Sequence, residues 1–253
     1  MAELTRQQLI LALVALPHSA NLAGVDLSEL QLAGICLSKA NLYRADLRFT
    51  NLEESDLSGA SLIQAQMQRT TLHDANLNEA DLTRANLSDA NLAHASMRSV
   101  CLMAAKMEQA ILEKVNLERS ILCEANLDDA DLQEANLNGC NLQGASLRNA
   151  NLRRASLINA NLSGADLSGA HLEDVDLTQV DLSNAILTDA HLEGAILDQS
   201  SSTHLSDGSI EAADLDGVNH AWSGQSGAYS SDRPKQMNAS SDSVDTGDVN
   251  LDF

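Results

Sequence analysis

Ala125 to Leu137 reads A-N-L-D-D-A-D-L-Q-E-A-N-L, a five-residue unit, A-(N/D)-L-x-x, repeated without a spacer. Followed in both directions, the unit keeps its phase: Leu or Met occupies every fifth position from Leu22 to Leu197, which makes 36 consecutive units. The residue two before each centre is small, as at Ala80, Ala130 and Ala165, with Leu30 and Ile35 the bulky exceptions. Two positions in five are therefore committed to an interior. A period of five is neither the 3.6 of a helix nor the 2 of an ordinary strand, and an amphipathic helix would smear these leucines around its whole surface. Repetition at a fixed short period points to a solenoid, in which no unit buries its own apolar face and stacked neighbours build one continuous core.

The pattern resembles the pentapeptide-repeat family over residues 20–199. The resemblance implies an all-β fold, a right-handed quadrilateral β-helix with four units per coil. The central Leu and the small residue two before it point inward, and the other three positions face out. On that basis 36 units make about nine coils, and the strand spacing gives a rod roughly 40 Å long. Each buried Leu contributes roughly 1.5–3 kcal/mol, so the leucine ladders are the main source of stability. A narrow rod filled by its own side chains leaves no room for a substrate. The chain also carries no GxGxxG, P-loop, GxSxG or HExxH motif, and the expectation is a protein that is not an enzyme and uses no cofactor.

The flanks read differently. Residues 1–19 predict a short N-terminal α-helix that caps the first coil. Thr5 and Gln8 fit a capping box, Leu4 and Leu9 a hydrophobic staple, and Pro17 a stop. The apolar run Leu9 to Leu16 is too short to span a bilayer; a signal peptide is the alternative for it. Residues 200–253 predict a partial cap, with the echo A-A-D-L-D-G-V ending at Val218, and then a disordered tail rich in Ser, Asp and Gly.

The net charge of −21 argues against direct contact with nucleic-acid phosphates or anionic membranes and permits a basic partner. Cys36, Cys101, Cys123 and Cys140 show no metal-type spacing and suit a reducing cytoplasm. Two surfaces stand out when the faces are named by their first centres. On the Leu22 face, Tyr43, Ile63, Cys101, Met103, Ile121 and Cys123 break a polar exterior and form a candidate partner surface. Acid concentrates on the Leu27 and Leu32 faces, whose net charges are −5 and −6. There Glu53, Glu54, Asp128, Asp129, Asp131, Glu134, Glu173 and Asp174 form a candidate acidic surface. Arg148, Arg153 and Arg154 follow this girdle as a basic group.

His171-Leu172-Glu173 recurs as His191-Leu192-Glu193, which a coil of 20 residues would stack. Two His with carboxylates can hold a divalent metal, though a flat ladder suits a tetrahedral site poorly. The expected function is a non-catalytic scaffold presenting surface residues to an unidentified protein partner, a regulator being one class. The alternative comes from the resemblance, since some members of the family imitate B-form DNA in shape and charge and act on type II DNA topoisomerases. The inserted loops of quinolone-resistance members are absent from the repeats. Oligomeric state is open, a dimer included.

Overall fold

The computed structural model describes residues 20–197 together with Gln8 and Asn219–His220. The chain divides into two units, Met1–Trp222 and Ser223–Phe253, and all the described residues lie in the first. From Asn21↔Asn41 to Asp176↔Ile196, parallel bridges join residues 20 apart at every fifth position. Four five-residue units therefore complete each turn of the solenoid. Three backbone bonds per unit tie one coil to the next, as in Leu22 N–H to Asn41 O at 2.7 Å, Gly24 N–H to Tyr43 O at 2.8 Å and Asn41 N–H to Ala20 O at 2.8 Å.

A turn follows each centre. Leu42 O accepts from Ala45 N–H at 3.0 Å, and the residue two after the centre, here Arg44, has φ near +54°. A positive φ at the third residue of such a turn is the mark of type II geometry. Every such position from Gly24 to Asn184 and on to Gly194 is left-handed, 27 of them occupied by residues other than glycine. That conformation costs a non-glycine residue roughly 1–2 kcal/mol, which the burial of one Leu per unit, at roughly 1.5–3 kcal/mol, offsets. The side chain just before the centre supports the turn. Asn41 Oδ1 accepts from Tyr43 N–H at 3.1 Å and Asp81 Oδ1 from Thr83 N–H at 3.0 Å, local bonds of the Asx type.

The inward positions are as expected. The centres from Leu22 to Leu192 are at most 2% exposed, and the alanines two before them form a second buried column. Leu30 and Ile35, the bulky exceptions, sit in the first coil, where Leu30 is 9% exposed and Ile35 packs against the core from a half-buried position. Four polar residues, Thr50, Ser55, Thr70 and Ser120, also point inward. Each hydroxyl is satisfied by backbone. Thr50 donates to Leu27 O at 2.8 Å, and Thr70 to Leu47 O at 2.7 Å. Ser120 replaces a turn bond, accepting from Val100 N–H at 3.2 Å and donating to Met97 O at 2.8 Å.

Of the expected N-terminal cap, Gln8 alone is described, and it is helical; the rest of 1–19 lies outside the described residues. Most of 200–253 does too. Its described part is β2 (Asn219–His220), which pairs in parallel with β1 (Ile196–Leu197) in the register Ile196↔Asn219. The ladder thus gains a rung directly after the sequence echo, at a separation of 23 instead of 20.

Candidate functional site

On the Leu22 face the period of 20 sets Cys101 against Ile121 and brings Met103 and Cys123 into one column. Met103 is 44% exposed, Ile121 41% and Tyr43 38%, while Ile63, Cys101 and Cys123 are half-buried. The thiols are engaged locally. Cys101 Sγ lies 3.2 Å from Thr83 Oγ1, and Cys123 Sγ donates to Asn141 O at 3.8 Å. The structure therefore brings Cys101, Met103, Ile121 and Cys123 together on adjacent coils. Ile63 and Tyr43 lie further along the same face.

The acidic surface has a different character. The eight aspartates just before a centre, among them Asp131 and Asp166, each accept a backbone N–H two residues on. They are turn formers first, and Asp131 also accepts from Asn151 Nδ2 at 2.9 Å. The arginines that follow the girdle in sequence lie against acids in space. Arg148 pairs with Asp128, whose carboxylate also accepts from Ser146 Oγ and from Arg148 N–H at 3.1 Å. Arg153 meets Glu173 at 2.7 Å, Arg154 meets Asp174 at 3.9 Å, and Lys114 meets Glu134 at 3.8 Å. Asn149 donates to Asp129 at 3.2 Å. Glu53 and Glu54 enter no ion pair among the described residues.

These contacts shift the acids. Burial alone pushes the Asp128 carboxyl up, but bonds from Arg148 and Ser146 outweigh it and hold it below the usual aspartate range. Glu173 follows the same logic: burial raises it, and bonds from backbone, Arg153 and His171 bring it below the usual glutamate value. Both acids therefore stay ionised, which is the opposite of what general-acid work at neutral pH requires.

His171 and His191 stack as the repeat implies, with ring centroids 4.5 Å apart and planes 8° from parallel. His171 Nδ1 lies 2.9 Å from Arg153 Nη2 and 3.1 Å from Glu173 Oε1. Among the described residues no group of three His, Cys, Asp or Glu is arranged to hold a metal ion. The four cysteines are free thiols. Burial pushes the Cys140 thiol up to about 12, and it donates to Leu117 O at 2.8 Å, which makes it a packing residue. No described helix is long and apolar enough to cross a membrane.

The eight-copy pentapeptide-repeat model matches residues 40–78, 71–109, 101–139, 135–174 and 165–201. The chain belongs to the pentapeptide-repeat family. Members of the family form right-handed quadrilateral β-helices, in keeping with the 20-residue register. The repeat chain is similar to HetL, a pentapeptide-repeat protein involved in heterocyst differentiation regulation from the cyanobacterium Nostoc sp. strain PCC 7120. That likeness has 33% identity over 77% of this chain and 89% of HetL, with a TM-score of 0.36. It is similar in fold to a trypsin-treated form of QnrB1, a plasmid-mediated fluoroquinolone resistance protein, with 21% identity over 76% of this chain and 89% of that one and a TM-score of 0.56. A search of curated proteins finds no match.

Sequence reasoning missed three features of this pentapeptide-repeat surface. Phe49, Ile111, Ile158 and Ile186 are exposed apolar residues on the other three faces. An open groove runs along the edge between the Leu22 and Leu27 faces, lined by Arg44, Gln64, Gln66, Arg84, Asn86 and Lys106. The pairing of acids with bases one coil away went unread as well. Its signal, the offset of 20 between Asp128 and Arg148, is present in the sequence.

Proposed function

We propose that this pentapeptide-repeat protein is a non-catalytic scaffold, a rod of about nine coils that presents its Leu22 face to a protein partner. The observation that carries the reading is the cluster of Cys101, Met103, Ile121 and Cys123 on adjacent coils, with Met103 44% and Ile121 41% exposed. Contiguous exposed apolar side chains on a polar surface favour a contact site. An interior of Leu and Ala argues further for work done on the outside. Four free cysteines suit a reducing cytoplasm, where we place the protein.

DNA mimicry is the weaker reading. A mimic needs carboxylates available to a basic groove, whereas Asp128, Glu173 and Asp174 already face arginines. Regulation of a developmental process, as in the printed description of HetL, is one form the scaffold reading can take.

The deciding experiment is affinity capture from the native lysate with the wild type beside a Met103→Glu/Ile121→Glu variant, both checked by circular dichroism. A protein captured by the wild type and lost by the variant supports the scaffold. Equal capture of a type II topoisomerase by both, with inhibition of supercoiling, would transfer the function to the acidic faces.

A further inference from the structure

Among the described residues, most cations of the repeats are paired with acids, and four are not. Between residues 20 and 197 the chain has 12 Lys and Arg, and eight of these are ion-paired among the described residues. Three of the other four, Arg44, Arg84 and Lys106, line a single open groove of about 490 Å³. Its remaining walls are the amides Gln64, Gln66 and Asn86.

Such a grouping runs against the rest of the molecule. Like charges within about 10 Å repel through incompletely screened fields. One acid at position 64 or 86 would relieve the repulsion, as Asp128 does for Arg148, yet these positions hold Gln64 and Asn86. Two nearby acids, Asp46 one coil from Gln66 and Glu108 two residues from Lys106, are already engaged. Asp46 pairs with Arg48 at 2.6 Å, and Glu108 accepts from Ser88 Oγ at 2.6 Å and from Asn126 Nδ2 at 2.9 Å.

The cations are also positioned. Arg44 Nε donates to Gln64 Oε1 at 2.7 Å, and its guanidinium lies 5.0 Å from the Tyr43 ring centroid. One edge of the fork is fixed, and the rest of it has no ion-pair partner among the described residues. Arg84 stands two coils from Arg44, roughly 10 Å at the strand spacing. Lys106 joins from the neighbouring column, bridged to Asn86.

We propose that this groove binds a compact multivalent anion of the di- or triphosphate class. Guanidinium forks match phosphate oxygens in pairs, Lys106 adds a point charge, and the amides of Gln64, Gln66 and Asn86 can donate to the remaining oxygens. The ligand is short because the register places Asp46 one coil before Gln66 and Glu124 two coils after Arg84, acids that would repel a longer polyanion such as a nucleic-acid backbone.

Titration calorimetry of the full chain with inorganic triphosphate and with pyrophosphate tests this. Arg84 has φ near +56°, a conformation Asn tolerates well, so Arg84→Asn removes the charge and keeps the turn. Arg119→Asn, at φ near +60° on the Leu37 face, is the matched control. The expected result is one triphosphate per chain, weakened by about tenfold or more in Arg84→Asn and unchanged in Arg119→Asn, with both variants melting like the wild type. No heat from the wild type with either anion would overturn the proposal, and so would equal weakening by the two substitutions.

Discussion

Two belts of the same rod solve one architectural problem in opposite ways. In the belt from Asp128 to Asp174, outward residues find partners one coil away: Arg148 on Asp128, Arg153 on Glu173, Arg154 on Asp174. In the belt from Tyr43 to Cys123, Arg84 and Lys106 on the edge of the Leu22 face enter no ion pair among the described residues, and Met103 and Ile121 stay 44% and 41% exposed although Cys123 and Cys101 lie one coil away. A stack with a period of 20 makes residue n+20 the natural partner of residue n. A side chain whose partner matches it is spent on structure, and one whose partner does not is available for contact. Both belts are candidate surfaces in sequence, and this criterion favours the apolar one.

Both belts rest on one interior, so the largest effect should not distinguish them. Ala130 beneath the paired belt and Ala105 beneath the apolar one are each 1% exposed. Ala130→Arg and Ala105→Arg each bury an unpaired charge at a cost of several kcal/mol, and thermal melting by circular dichroism should show a large loss in both. A variant that melts like the parent would break the inward assignment for its belt.

The next effect is smaller and local. Ser120→Ala removes the hydroxyl that bridges Val100 N–H and Met97 O, two groups on residues with no solvent exposure. The expected loss is about 1–3 kcal/mol, read from the denaturant midpoint at unchanged slope. If Val100 N–H re-forms the ordinary turn bond to Met97 O, the loss falls below that range.

Lowering the pH should separate the belts. Asp128 and Glu173 have folded-state pKa values below their unfolded ones. Each therefore contributes stability that is present above its unfolded value, about 4 for these acids, and is lost as pH falls through the folded value. Asp128→Asn should flatten the acid limb of a stability–pH curve below about pH 4 and leave it unchanged near neutrality in shape. Substitutions at Met103 or Ile121 by neutral polar residues should leave that limb intact.

The interior was legible because a five-residue phase, held through 36 units, has no other physical reading than two inward positions per unit. The 20-residue coil was not in the spacing; it came from the resemblance, and the bridges from Asn21 onward show it. The left-handed residue in every turn left a partial trace. Gly, Asn or Asp, the types that tolerate positive φ, fill 16 of these 35 positions, but Arg, Glu and even Phe49 occupy others because burial of the neighbouring Leu overrides their preference. The pairing within the acidic surface was missed, since charges read along the chain place Arg148 after Asp128 instead of against it. The N-terminal helix, apart from Gln8, falls outside the described residues, as does most of 200–253.

The smallest expected effect bears most directly on the comparison. Met103→Glu with Ile121→Glu alters two side chains that are 44% and 41% exposed, in columns where neither donates nor accepts a side-chain hydrogen bond. If these residues were packing elements, losing their burial would cost on the order of 1.5 kcal/mol each. If they are display elements, the double variant should stay within about 0.5 kcal/mol of the wild type, as surface substitutions do. Paired denaturant melts distinguish the two values. A loss near the larger figure would move the apolar belt into the same class as the Asp128 belt, with its side chains serving the rod. A loss near zero would mean that the rod holds Met103 and Ile121 in place without needing them, so that any binding lost by the variant is lost at the surface.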